Sequence, residues 1–531
     1  MQVHRSRFAF LLVGAWLILG PAAFGASSVR DDSARHEMTQ RIDALLEQQW
    51  AAADVTPARI ATDGEFLRRA YLDLTGVIPR ASEVREFLAD DRTDKRAQLV
   101  DQLLASPRYA THMATTWRNR ILPLGVDPAR SREAMGLQKW LRTRFARNLR
   151  YDNLVGELLL TIGGDELGPA LYFQANDLSP EKLAASSAEL FLGLKLECAQ
   201  CHDHPYADWS QRDFWGLAAF FARVKAPDDR RGMMMASYRI VDADRGDVRL
   251  PESSEIVPPK YPRGDTAGDE VRRTRRAQLA IWMTSRDNHF FARAAVNWAW
   301  THLFGAGLVD SLDNVEDEDS STQAQLLDEL AKYFVDSGYD LRQLWRTLAA
   351  TRAYQMSSGQ EPAGSTAPHL FARMLAKPLT PEQLYDSFIV LSPPRGSDMV
   401  GGYGELRTAG SLDEDPVRAE FVRRMRPPPG EVTEYRAGTL QALMLMNGPA
   451  TGGVTAYDSS KLVGALDAPF MDDAAQVESL FLAVLARTPD EEEQRTCVEA
   501  LQPSTSPAER KRALSDILWA LLNSTEFAFN H

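Results

Sequence analysis

Cysteine is scarce in this chain of 531 residues, which contains only three. Exported domains that depend on disulfides are dense in cysteine, so a disulfide scaffold is excluded. Cys497 falls within a helical pattern and is predicted to be a buried, inert side chain. Cys198 and Cys201 are separated by two residues in "CAQCHDHP". This close spacing indicates a functional pair.

Positive charge is also in deficit, because 60 Lys and Arg residues stand against 73 Asp and Glu residues, for a formal net charge of -13. Nucleic acids and anionic membrane surfaces select clustered basic side chains. The one dense basic run, "VRRTRR" at 271–276, opens a helical pattern and is interpreted as a solvated helix face. Nucleic acid is therefore not expected as a partner.

Common catalytic motifs are missing as well. The chain has no G-x-S-x-G, no H-E-x-x-H, no phosphate loop and no dinucleotide-binding pattern. Hydrolase, kinase and dehydrogenase chemistry therefore have no recognisable motif to support them. The sequence gives no support for an enzymatic activity.

Long apolar runs are confined to the N-terminus. The basic start "MQVHRSR" precedes the uncharged run "FAFLLVGAWLILG" and the small residues "PAAFGASS", in which Ala23 and Gly25 suit the −3 and −1 positions of a cleavage site. This layout predicts a secretory signal peptide over 1–25, the alternative being an uncleaved anchor. Because no later run approaches ~18 uncharged apolar residues, we expect an exported, periplasmic protein that is not integral to a membrane after cleavage.

Apolar residues recur at spacings of three and four along most of the remaining chain, which predicts a mainly α-helical protein. After residue 225 the composition turns rich in Gly, Pro and charge, and "SYRIVDADRGDVRLP" indicates two short strands joined by a turn. The sequence thus predicts two helical domains, 35–225 and 266–531, with a small β-hairpin insertion or linker over 226–265.

The stretch that leads to the cysteine pair is predicted to form one helix, which starts after Ser179 and ends near His202. Pro205 disfavours helical backbone at the residue before it and so sets this end. On such a helix Cys198, Cys201 and His202 lie within an arc of ~100° on the face that meets the core. The pair then sits at a helix C-terminus, where a reactive thiolate is disfavoured.

The C-x-x-C-H pattern is the attachment pattern of c-type haem, in which two thioethers hold the group and the histidine is the proximal iron ligand. In this chain those residues are Cys198, Cys201 and His202. Another metal, a disulfide and inert thiols stay open as alternatives. Zinc needs four ligands, and His204 and the remote His112 would have to complete the set, because no second ligand pair is visible.

Further residues are candidates for supporting roles at such a haem. His112 is a possible distal ligand, the methionines at 233–235 form another candidate cluster, and a five-coordinate iron is the third possibility. Asp203 and Asp208 are candidate hydrogen-bond partners of the imidazole N–H groups. His204 stands too close in sequence to His202 to reach the opposite haem face, and it is kept as an alternative metal ligand.

Several stretches of the chain resemble a known pair of domains. "ATDGEFLRRAYLDLTGVIP" and "LFLGLKLECAQCHDHPYADW" are similar to the planctomycete cytochrome-like domain of unknown function. "DNHFFARAAVNWAWTHLFGAGLVDSLDNVED" and "LTPEQLYDSF" are similar to the planctomycete-specific domain that usually follows it. The resemblance implies that Cys198 and Cys201 attach haem, with His202 as the proximal ligand and His112 at a position where the family has a histidine.

From these observations we expect an exported c-type haem protein with an electron-transfer or redox role and an unidentified redox partner. The alternative is an exported interaction or scaffold protein with a structural metal, zinc or another divalent ion, at the Cys/His cluster. The family resemblance itself implies no established biochemical role.

Overall fold

The computed structural model describes residues 22–122, 132–163, 168–227, 239–268, 273–312, 321–359, 368–392, 415–426, 439–458, 460–468 and 470–531. Within these ranges the protein is mainly α-helical with small two-stranded antiparallel sheets, which confirms the predicted fold class. None of the helices in these ranges is both long and apolar enough to cross a lipid bilayer. Most of the predicted signal peptide and the methionines at 233–235 lie outside the described residues.

The helices as far as the predicted linker are α1 (Ala22–Ala52), α2 (Asp63–Thr75), α3 (Ala81–Ala89), α4 (Lys95–Ala105), α5 (Pro107–Ile121), α6 (Arg132–Ala146), α7 (Tyr151–Leu159), α8 (Ala170–Ala175), α9 (Pro180–Ser187) and α10 (Gln211–Ala218). Beyond it are α11 (Arg275–Met283), α12 (His289–Phe304), α13 (Thr322–Asp336), α14 (Leu341–Ala350), α15 (Arg352–Gln355), α16 (Pro381–Leu391), α17 (Pro416–Met425), α18 (Thr439–Asn447), α19 (Pro449–Thr455), α20 (Lys461–Leu466), α21 (Asp473–Leu485), α22 (Glu491–Leu501), α23 (Pro507–Leu522) and α24 (Thr525–Ala528).

The short strands are β1 (Val224–Lys225), β2 (Val241–Asp242), β3 (Val248–Arg249), β4 (Ile256–Val257), β5 (Lys377–Pro378) and β6 (Phe529–Asn530). β2 and β3 fall in the stretch predicted to form a hairpin, but β2 pairs with β1 and β3 pairs with β4. The predicted pairing is therefore wrong. The connection between β2 and β3 contacts the residue before β1, because the Ala243 N–H donates to the Arg223 carbonyl oxygen at 2.7 Å.

The buried apolar side chains of the described residues form two clusters. The first runs largely from residue 38 to residue 374 and includes helices on both sides of the predicted linker. The second combines residues 379 to 527 with Leu72 and Ile78. Helices of both predicted domains therefore share a core, and the domain boundaries at 226–265 stay a prediction from composition.

Helix α2 is the wall between the two clusters. Its start is capped by the Thr62 hydroxyl, which accepts a hydrogen bond from the Glu65 N–H, and its end is closed by Gly76 at a φ of 72°. Phe66 and Leu67 pack into the first cluster, whereas Leu72 belongs to the second. Because α2 is buried on both sides, its buried charged groups need partners within the protein.

Two arginines of α2 connect it to the second half of the chain. Arg68 is fully buried and donates to the carbonyl oxygens of Val484 and Phe527, both at 2.9 Å. Arg69 is also fully buried and donates to the carbonyl oxygens of Tyr354, at 2.6 Å, and Met356, at 2.9 Å. Burial lowers the pKa of Arg68 to about 10, so the guanidinium group still carries its charge at neutral pH.

We predict that Arg68→Met destabilises the fold by about 2–4 kcal/mol, because it leaves the carbonyl oxygens of Val484 and Phe527 buried without their charged donor. Arg286→Met is the matched control. Arg286 is exposed and forms a surface ion pair with Asp336, so its loss costs less than about 1 kcal/mol. Urea denaturation followed by circular dichroism compares the two variants, and equal losses would contradict the role given to α2.

Candidate functional site

The helix that leads to the cysteine pair ends earlier than predicted. It begins as expected, with the Ser179 hydroxyl accepting from the Lys182 N–H and Pro180 in the first turn. It continues as the π-helical turn Ala188–Leu192 and stops at Gly193, whose φ is 71°. The prediction of one continuous helix to His202 is wrong, because a left-handed glycine closes the helix.

The cysteines therefore lie on a separate 3₁₀ helix, Leu196–Gln200, and just after it. Leu196 and Ala199 take the inward positions, whereas Cys198 and Cys201 are exposed free thiols. Residues three apart share one side of a 3₁₀ helix, so the two thiols lie on the same exposed side. The prediction that this pair faces the core is wrong for this reason. We call residues 196–204 the Cys-His loop.

His202 is exposed, and its hydrogen bond defines which ring nitrogen carries the proton. Nδ1 lies 2.7 Å from the main-chain oxygen of Asp203, which can only accept a hydrogen bond. Nδ1 must therefore carry the proton, and the lone pair of Nε2 is left available. This is the arrangement in which an imidazole binds a metal ion through Nε2 while Nδ1–H is held by a neighbouring acceptor.

His204 has the opposite arrangement. Its Nδ1 accepts hydrogen bonds from the main-chain N–H groups of Tyr206, at 3.3 Å, and Ala207, at 3.0 Å. The proton then resides on Nε2, so neither ring nitrogen offers a free lone pair. The histidine braces the turn that follows the Cys-His loop, and its local geometry favours this role over that of the alternative metal ligand.

Asp203 and Asp208 do not hold an imidazole through their carboxylates. Asp203 contacts His202 through its main-chain oxygen, and its Oδ1 accepts from the Gln211 N–H at 2.8 Å, at the start of α10. The Asp208 carboxylate lies 2.9 Å from Arg263 in an exposed ion pair. The support that the sequence assigned to two carboxylates comes instead from one main-chain carbonyl.

The backbone of the Cys-His loop is held by side chains of α10. Gln211 Nε2 donates to the carbonyl oxygen of Cys201 at 2.9 Å and to that of Gln200 at 3.2 Å. The indole N–H of Trp215 also donates to the Gln200 oxygen, at 3.0 Å. Side chains of α10 thus fix the main chain at Gln200 and Cys201, while the side chains of Cys198, Cys201 and His202 stay exposed.

His112 lies at a different place, in a cavity of about 780 Å³ whose lining contains none of Cys198, Cys201 and His202. We call it the α5 cavity, because residues of α5 line one wall. Burial, with a smaller effect of the nearby His302, lowers the pKa of His112 to about 3, and its imidazole is neutral at physiological pH. The structure therefore does not bring the predicted distal ligand to the Cys-His loop.

The floor of the α5 cavity contains charged residues that the sequence analysis did not single out. Lys377 Nζ lies 2.6 Å from the Asp73 carboxylate, which also accepts from the Tyr354 hydroxyl at 2.9 Å. The Asp73 main-chain oxygen is 2.9 Å from Nε2 of His302. A signal was present for His302, since it interrupts the largely apolar helix α12, but Asp73 is one of five charged residues of α2 and does not stand out there.

No group of three or more His, Cys, Asp or Glu side chains among the described residues is arranged to hold a metal ion. This search bears on metal sites built by the protein alone. A haem brings its own four nitrogen ligands, and it asks of the chain only two thiols and an axial base.

The comparison with known families matches two segments of the chain. Residues 41–226 match the family PSCyt2, described as a protein of unknown function (DUF1549). Residues 275–424 match the family PSD1, also described as a protein of unknown function (DUF1553). The chain thus contains these two domains in the order that the resemblance predicted, and neither description names a ligand or an activity. No curated protein and no solved structure matches it.

The buried histidine makes the stability of the fold depend on pH. The native pKa of His112, about 3, lies below the value of about 6.5 expected in the unfolded chain. The unfolded chain therefore takes up a proton that the native state refuses, and stability is lost as the pH falls from about 6.5 towards 3. The slope is at most about 1.4 kcal/mol per pH unit for this proton.

We predict that His112→Leu removes part of this acid sensitivity. The difference between the thermal unfolding midpoints at pH 7.5 and pH 5 becomes smaller in the variant, and His302, whose pKa burial also lowers, accounts for part of the remainder. Differential scanning calorimetry at both pH values measures the two midpoints. An unchanged difference between the two midpoints would contradict the assignment of His112 as a buried neutral imidazole.

Proposed function

We propose that this chain is an exported protein that carries one c-type haem on Cys198 and Cys201, with His202 as the proximal iron ligand, and that it transfers electrons. The observation that carries the proposal is the ring state of His202. Its Nδ1–H is held by the Asp203 carbonyl oxygen, so that Nε2 is available beside two free thiols.

The position of the thiols supports the attachment chemistry. Thioether formation adds each S–H across a vinyl group of the haem, so it consumes no oxidant but requires two reduced thiols that can be reached. Cys198 and Cys201 are both free and exposed. The N-terminal sequence pattern that predicts a signal peptide is consistent with the proposal, because covalent attachment of haem normally takes place outside the cytoplasm.

We do not include His112 as an iron ligand in this proposal, because it lines the α5 cavity, to which the Cys-His loop does not contribute. The second axial position is left to solvent. A haem held on the exposed 3₁₀ helix keeps an edge at the protein surface, which a redox partner can approach. Held in this way, the haem has the access that electron exchange between proteins needs.

We predict that the full-length chain, expressed together with haem-attachment machinery, shows a Soret band that shifts when dithionite reduces the iron. The haem stays on the polypeptide in a denaturing gel. Cys198→Ala combined with Cys201→Ala abolishes the covalent haem, and His202→Ala gives a haem that is still attached but has an altered iron spectrum. Each result follows because the thioethers attach the haem to the chain, whereas the histidine binds the iron.

The third cysteine supplies the matched control. Cys497 is half-buried in α22, away from the C-x-x-C-H motif, and Cys497→Ala should leave haem content and spectrum unchanged. A wild-type protein without a Soret band would refute the proposal. So would a thiol titration that finds Cys198 and Cys201 joined in a disulfide after expression with the attachment machinery.

A further inference from the structure

The α5 cavity has a polar and charged lining to which no ligand has yet been assigned. It is lined by residues of both matched domains, such as His112 of the first and His302 and Lys377 of the second, and Asn530 of the C-terminal strand also contributes. Its volume of about 780 Å³ lies within the range of small-molecule sites. Nothing in the proposed haem site requires this cavity, so its role is a separate question.

The carboxylates that line the α5 cavity already have partners. Asp73 pairs with Lys377 at 2.6 Å, and Asp386 forms two hydrogen bonds with Arg418, at 2.7 and 2.9 Å. Glu83 accepts from the main-chain N–H of Arg80 at 2.7 Å. The acidic groups are therefore engaged, and they do not call for a cationic ligand.

Glu382 is the most strongly engaged of these carboxylates. It accepts from Arg426 at 2.8 Å and from the Asn119 amide at 3.0 Å, and Arg118 lies 3.7 Å away. Burial alone would raise the pKa of Glu382, but the surrounding guanidinium groups outweigh it and lower the pKa to about 2. The partners Arg426 and Arg118 lie behind the lining, so they add positive charge around the cavity.

Two arginines in the lining have no such partner. Within the described part of the chain, the guanidinium groups of Arg142 and Arg147 form no hydrogen bond and no ion pair, although both residues line the cavity. Arg142 lies one turn beyond Gln138 on α6, and the Gln138 amide lies 2.8 Å from the Thr115 hydroxyl of α5. Free guanidinium groups at a cavity wall favour a carboxylate or another oxyanion.

Two uncharged polar atoms in the same lining are also without partners. Among the described residues, Nε2 of His112 and Oδ1 of Asn530 are buried and form no hydrogen bond. The other end of the Asn530 amide, Nδ2, donates to Asp73 at 2.7 Å, which fixes the orientation of Oδ1. Buried acceptors of this kind are costly unless they are satisfied, and hydroxyl groups can donate a hydrogen bond to each of them.

We propose that the α5 cavity binds a small hydroxylated organic acid, with its carboxylate at Arg142 and Arg147 and its hydroxyl groups at His112 and Asn530. Arg108 and His112 are one turn apart on α5. This wall of the cavity therefore extends from the cationic Arg108 to the neutral His112. The cavity runs along α5 from Ser106 to Asn119, which is about 20 Å of helix. A chain of several hydroxylated carbons is shorter than this stretch of lining, so the cavity has room for it.

Gluconate and sorbitol form a matched pair of probes, because they share the six-carbon polyol and differ in one carboxylate. Sulfate at equal ionic strength tests for an anion site without a hydroxyl requirement. Isothermal titration calorimetry uses the purified full-length protein, with or without haem. We expect one gluconate per chain, with sorbitol and sulfate at least about tenfold weaker.

Three variants locate the binding. Arg142→Gln should weaken gluconate at least about tenfold, whereas Arg286→Gln, which removes an exposed arginine elsewhere, should leave the affinity unchanged. His112→Leu should weaken gluconate about fivefold without lowering the thermal midpoint of the unliganded protein at pH 7.5, because an unsatisfied buried nitrogen is replaced by an apolar group of similar size. A merely structural histidine would lower the midpoint and leave the affinity alone.

The proposal is overturned if gluconate does not bind, if sorbitol binds equally well, or if Arg142→Gln changes nothing. Sulfate binding as tight as that of gluconate, together with an unchanged affinity in His112→Leu, would reduce the site to a general anion site and would also refute it. Each of these outcomes is independent of haem, so the test distinguishes this proposal from that of the Cys-His loop.

Discussion

The burial of three charged side chains of α2, those of Arg68, Arg69 and Asp73, is the constraint on which the described structure depends. A helix buried on two sides has no solvent for its arginines and aspartate, so each must find partners within the protein. Arg68 reaches the carbonyl oxygens of Val484 and Phe527, and Arg69 those of Tyr354 and Met356. The α2 helix can therefore be buried only when both halves of the chain are folded around it.

The third of these buried groups, Asp73, contributes to the α5 cavity. Lys377 and Asn530 both bind its carboxylate, and they stand opposite each other in the β5–β6 pair. The last residues of the chain are thereby held beside a residue of the first matched domain. Asp73, Lys377 and Asn530 all line the α5 cavity, and no single matched domain contains all of its lining.

Much of the helical structure could be predicted because its signals are local. The apolar periodicity predicts the helices, and Ser179 with Pro180 predicts the start of α9 correctly. Gly193 signals the end of that helix, whereas the apolar stripe that continues beyond it favours a longer one. A left-handed glycine overrides periodicity because it redirects the backbone whatever the side chains that follow.

The rest depends on distant contacts that no local pattern encodes. Strands β2 and β3 occur within the expected stretch, yet β2 pairs with β1, which follows Arg223, and β3 pairs with β4, so both partners lie outside that stretch. The α5 cavity joins Asp73, His112 and Lys377, which are hundreds of residues apart at the extremes, so only the folded chain reveals it. At the Cys-His loop the residue types were evident from sequence, whereas the ring states of His202 and His204 required the structure.

The central claim concerns the chemistry of the two exposed thiols, and mass spectrometry of the protein purified from the exported fraction tests it most directly. The account predicts an intact mass equal to the chain without residues 1–25 plus one haem. It also predicts that the added mass maps to the peptide that contains Cys198 and Cys201. A peptide with two free thiols, or one lighter by two hydrogens because the cysteines form a disulfide, would contradict it.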